Sequence, residues 1–86
     1  MAVNTPLPVK GYTTQSDDNV ALANEGKELE ERYLRWLDKL DGMAKTTTHG
    51  FDARFIALAR THVQTGAMFA IRSIFRPTRI MLPEDA

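Results

Sequence analysis

The sequence predicts an all-α fold, with two long antiparallel helices and an N-terminal strap assembled into a homo-oligomer. Three observations carry that prediction. Apolar residues recur at helical spacing in two segments, near 16–41 and 51–76. Prolines, glycines and consecutive threonines fall outside or between those segments. Finally, 86 residues that are 43% hydrophobic carry more apolar side chain than so short a chain can bury alone.

The chain reads as a single helical domain, 1–86. Residues 1–14 are expected to form an extended arm, because MAVNTPLPVKG sets two prolines and a glycine where a helix would have to start. Helix one is expected over 16–41, with Thr14, Ser16 or Asp17 as its N-cap and acidic residues at its positive end. Leu22, Leu29 and Trp36 recur at sevens, and Gly26, Tyr33 and Leu40 fill the complementary positions, which predicts a heptad-like packing seam. Glu28 with Arg32, and Glu31 with Arg35, are spaced for i,i+4 ion pairs on the wetter side. Gly26 weakens the helix by about 1 kcal/mol relative to alanine.

GMAKTTTHG, residues 42–50, is expected to be a loop, since two glycines bound it and three β-branched threonines run through it. Helix two is expected over 51–76, halted by Pro77 and followed by a tail over 77–86. At about 100° per residue, Phe55, Ile56, Ala59, Val63, Gly66, Ala67, Ala70, Ile71 and Ile74 share one broad face, expected to pack on helix one. Phe51, Leu58 and Phe69 form a second apolar band. Two helices of one chain cannot cover both bands, which points to subunit contacts.

Eleven basic side chains balance eleven acidic ones, so no net field directs the chain to polymeric nucleic acid or a membrane surface. The two halves differ: residues 1–43 hold five basic and eight acidic groups, and residues 44–86 hold six and three. A protomer so polarised can pair head to tail with another or hold an anion at its basic end. No cysteine occurs, which removes disulfides and thiolate metal sites. No signal peptide or long apolar run is visible, so a soluble, cytoplasmic protein is expected.

Catalysis finds little support. His49 and His62 stand in HGF and HVQ, without the H-x-T pairing of two-histidine phosphodiesterases or a carboxylate cluster at metal-ligand spacing. Ser16 and Ser73 lack a placed base. Neither an enzyme, a metal nor a cofactor is expected. Arg54, Arg72 and Arg76 share one side of helix two and could grip phosphates, although a solvated face or ion pairs with a neighbour is the stronger explanation. Tyr12, in the arm, has two readings: a plug for the core, or a ring offered to a ligand. Lys27 points about 135° away from the seam at helical spacing and is open to solvent or ligand.

The stretches KGYTT, GKELEERYLRWLDKL and ARTHVQTGAMFAIRSIFRPTRIMLPED resemble the small phage-encoded anti-CBASS proteins that act as cyclic-oligonucleotide sponges. The likeness runs from about Gly11 to Asp85 and is most specific over Ala59 to Pro77. The resemblance implies a helical homohexamer built from dimers, working in the cytoplasm of an infected bacterium. It would sequester cyclic nucleotide messengers, among them 3′,3′-cGAMP, without cleaving them. It also implies that Tyr12 stacks on the bases and that Lys27 meets the phosphates. A second kind of site, for cyclic trinucleotides, falls by resemblance on Arg60. Gln64, its i+4 neighbour, is the expected companion.

The chemistry of such a ligand suits those residues. A cyclic dinucleotide has two bases and two phosphates about an approximate two-fold axis, so one ring and one cation per chain suffice in a dimer. Stacking a base on an aromatic ring contributes about 1–3 kcal/mol and tolerates any base. Lysine gives a phosphodiester a compact charge without requiring bidentate geometry. Thr13 and Thr14 could add hydroxyl contacts. The alternative is a small helical adaptor or regulator whose Phe51, Leu58 and Phe69 band binds another protein.

Overall fold

The computed structural model describes residues 10, 11, 13–46 and 48–85. Two helices dominate it: α1 over Asp17–Thr46 and α2 over Ala53–Phe75, with one 3₁₀ turn at Pro83–Asp85. No strand occurs among the described residues. The helices pack against each other as an antiparallel hairpin. Gln15, just before α1, bonds the carbonyl of Phe75 at the end of α2, and Asp38, late in α1, pairs with Arg60, early in α2.

Local chemistry sets the helix ends. Of the three candidate caps for α1, Ser16 takes the position: its Oγ accepts from the Asn19 amide at 3.2 Å and its carbonyl from the Val20 amide at 3.0 Å. Asp17 and Asp18 occupy the first turn, where the helix dipole favours negative charge. Asp52 caps α2, with its carboxylate accepting from the amides of Arg54 and Phe55 at 2.9 and 3.3 Å. At the other end Arg76 turns into the left-handed region, φ 46°, and Pro77 prevents continuation.

The loop expected at 42–50 is shorter. Helix α1 runs on through Gly42 to Thr46, because Met43, Ala44 and Lys45 are adequate helix formers and one glycine costs only about 1 kcal/mol. The Thr46 hydroxyl donates to the Gly42 carbonyl at 2.8 Å, and Lys45 pairs with Asp41 at 3.0 Å near the negative end of the dipole.

Ala23, Leu37 and Ile56 form the buried core among the described residues. Half-buried Val20, Leu34, Leu40, Val63, Ala67, Ile71 and Ile74 flank them. On α2 the expected face is therefore largely the packing face, although Phe55 turns outward at 63% exposed. On α1 the seam is corrected. Leu22, Leu29, Tyr33 and Trp36 are 52, 61, 45 and 52% exposed, while Ala23 and Leu37, one position round the helix, meet α2. The Tyr33 and Trp36 rings meet edge to face, with centroids 5.6 Å apart, on the open side.

This hairpin is flat and long, 62 × 38 × 17 Å, with a radius of gyration of 18.4 Å against about 12 Å for a globular chain of its length. It exposes 7054 Å², where a compact 9.7 kDa monomer would expose about 5,100 Å². Large apolar side chains are exposed on both helices and beside them, including Phe51 just before α2 and Leu58 and Phe69 on it. No helix among the described residues is long and apolar enough to cross a membrane.

Candidate ligand groove

On one face of the hairpin, Lys27 and Glu30 of α1 oppose Gln64, Met68, Ile71, Arg72 and Phe75 of α2 across a groove of about 360 Å³. Helical spacing explains the set. Lys27 and Glu30 are one turn apart on α1, and Gln64, Met68, Ile71, Arg72 and Phe75 follow the three-and-four pattern along α2. Apolar Met68, Ile71 and Phe75 give the groove a surface on which a flat base can lie, and Lys27 and Arg72 supply two cations. The Lys27 side chain is 64% exposed, with its Nζ 3.7 Å from Glu30 Oε1. At that distance and exposure Glu30 restrains the ammonium only weakly, so the charge remains open to a phosphate. Arg72 forms no ion pair among the described residues, and its guanidinium is exposed.

Around the end of α2 lies a second depression, lined by Thr13, Thr14, Gln15, Ser16, Asn19, Phe75, Arg76 and Thr78. Phe75 borders both it and the groove, so the two are adjacent. The depression is rich in hydroxyl and amide groups and carries Arg76 as its cation. On either side of Phe75 the two depressions offer hydrogen-bond donors and cations, Lys27, Gln64 and Arg72 in one and the threonines and Arg76 in the other, suited to a phosphorylated ligand.

The structure brings several expected site residues together and keeps one apart. Lys27 shares its groove with Gln64, which the sequence paired with Arg60 instead. Thr13 and Thr14 line the neighbouring depression, exposed. Arg60 lies toward the opposite end of the hairpin, its Nη2 2.9 Å from Asp38 Oδ1 and its side chain 33% exposed. Tyr12 and residues 1–9 lie outside the described residues, as does the extended course expected for them. Sequence reasoning underrated Arg72 and Arg76. Both were visible in the arginine stripe, but only the fold shows that they border the Lys27 groove and the threonine depression.

A two-helix hairpin whose groove sets Lys27 and Arg72 beside an apolar floor, with much apolar surface exposed, defines a class of small all-helical hairpin proteins. The family model described as Acb2/Tad1, hairpin domain, matches residues 5–75, and the chain belongs to that family. Membership places it, at family level, among anti-CBASS proteins that sequester cyclic nucleotides. Among curated proteins none matches the chain.

Proposed function

We propose that this protein is a phage-encoded inhibitor of CBASS immunity that binds cyclic dinucleotides such as 3′,3′-cGAMP, and cyclic trinucleotides at a second site, without cleaving them. It acts in the cytoplasm of the infected bacterium as a homohexamer built from dimers. The observation that carries this reading is the groove that sets Lys27, Gln64 and Arg72 over Met68, Ile71 and Phe75 in a chain of this family. Its volume, about 360 Å³, falls at the lower end of the roughly 300–1,000 Å³ typical of small-molecule sites. One chain thus supplies part of the enclosure, and a second chain completes it around a two-fold ligand. Exclusion of water between chains strengthens each cation–phosphate contact.

Self-association is supported by the surface. The area beyond that of a compact monomer is on the order of 1,900 Å², comparable to what a stable interface buries. Leu22, Leu29, Tyr33 and Trp36 on α1, and Phe55, Met68 and Phe69 on α2, are the residues such contacts would cover. Sequestration requires retention without turnover: in this reading Lys27 and Arg72 supply charge to the phosphates and Gln64 orients the ligand.

The test is to incubate the purified protein with 3′,3′-cGAMP, remove free nucleotide, denature and analyse what is released. Intact cGAMP in the bound fraction is the expected result. Linear or hydrolysed product would indicate an enzyme, and an empty bound fraction would favour the adaptor reading.

A further inference from the structure

The arm is fastened at its root. The Thr78 amide donates to the Gly11 carbonyl at 2.7 Å, and the Thr78 hydroxyl donates to the same oxygen at 3.3 Å. Gly11 sits at φ +91°, and a Cβ on it would come within 2.5 Å of the Thr78 carbonyl oxygen and 3.5 Å of an Ile80 methyl. Only glycine meets both demands. Four residues on, Gln15 Nε2 donates to the Phe75 carbonyl at 3.1 Å and to the Thr13 carbonyl at 3.3 Å, while its Oε1 accepts from Asn19 at 3.2 Å. Thus Thr13 and Thr14 lie between two ties, one to the tail after α2 and one to the last turn of α2. Arg76, in its left-handed conformation with its backbone N–H donating to the Arg72 carbonyl at 2.7 Å, projects from the same corner.

We infer that Gly11 and Gln15 are positioning residues: the Gly11–Thr78 clasp and the Gln15–Phe75 tie fix the arm so that Thr13 and Thr14 stand beside Arg76 before ligand arrives. This inference rests on the sponge reading, in which that depression and the Lys27 groove share one ligand. A loose arm would lose conformational freedom on binding, and prior fastening removes that cost from the association. The tail after α2, which lines no part of the Lys27 groove itself, thereby governs affinity.

Two variants test this, Gly11→Ala and Gln15→Leu, each compared with wild type in two assays. Tryptic cleavage after Lys10, followed by intact mass, reports the clasp without ligand. Calorimetry with 3′,3′-cGAMP reports affinity, with helix content and assembly mass as controls. We expect faster Lys10 cleavage in Gly11→Ala and affinity weakened by about tenfold in both variants, with controls unchanged. D-Alanine at position 11 accepts positive φ and turns its methyl away from Thr78; introduced by ligation at Ala23 through a transient cysteine, it should restore affinity. Wild-type affinity in a Gly11→Ala protein with loosened Lys10 overturns the inference, as does unchanged cleavage or failure of D-alanine to rescue. Should Gly11→Ala misfold, wild-type affinity in Gln15→Leu overturns it. If wild type itself does not bind cGAMP, the sponge reading fails, and the cleavage assay still judges the clasp.

Discussion

Arg60 reaches across the hairpin to Asp38, Nη2 to Oδ1 at 2.9 Å, and this pair joins the two helices one turn of α2 beyond Gln64, outside the Lys27 groove. The pair is substantially solvated, so it contributes less than about 1 kcal/mol to stability. Its larger consequence is for binding, because the carboxylate occupies the guanidinium that a cyclic trinucleotide would need. Arg60→Ala should abolish trinucleotide binding and spare dinucleotides, whereas Asp38→Ala should strengthen trinucleotide binding by freeing the arginine. Calorimetry with both ligand classes checks this. Equal loss of both ligands in Arg60→Ala would mean that the arginine serves assembly.

Leu37 is the most deeply buried side chain described, at 2% exposed. Truncation to alanine leaves a cavity between α1 and α2 that a two-helix structure has few neighbours to fill. Leu37→Ala should destabilise by about 2–5 kcal/mol, read from denaturant midpoints at fixed protein concentration. By contrast, Leu29→Ala, at a site 61% exposed in the hairpin, should matter only through assembly.

That difference gives a third expectation. Leu29 lies beside Gly26, Tyr33, Gly66 and Ala70 along a shallow apolar groove on the face that also carries Trp36. A charge placed there cannot be desolvated against a second chain without a large cost. Leu29→Glu should lower the assembly mass in light scattering and leave the helix content per chain nearly intact. Unchanged mass would move the interface to another face.

How far the fold was legible follows from these residues. The α2 face, Ile56 to Ile74, was readable because its apolar positions are numerous and set in one broad sector. Ser16 was readable as one of three candidate caps, whereas Asp52, inside the span expected to be helical, caps α2 from just outside it. The seam of α1 misled for a physical reason: a run of large apolar residues at sevens marks a face that leaves water, but not which neighbour covers it. Ala23 and Leu37 are buried inside the hairpin, while Leu22, Leu29, Tyr33 and Trp36 stay exposed. Gly42 misled in the other direction, since its breaking tendency is too small to stop a helix whose next residues favour one.

For the site, Lys27 was legible as an exposed cation and by resemblance, and Thr13 and Thr14 by their place at the end of the arm, next to Tyr12. Arg72 and Arg76 looked like an ordinary solvated stripe. Which threonine, arginine and lysine neighbour one another depends on the antiparallel register, and that register is fixed by contacts remote in sequence, such as Gln15 with Phe75 and Asp38 with Arg60.

The central claim is that Lys27 supplies the charge that holds a cyclic dinucleotide in the groove. Titration calorimetry of wild type and Lys27→Ala with 3′,3′-cGAMP tests it most directly, at matched assembly mass. The expected result is tight binding by wild type and a loss of about tenfold or more in the variant, in keeping with a charge-assisted contact of roughly 1.5–3 kcal/mol. Equal affinity of the two proteins would contradict the account.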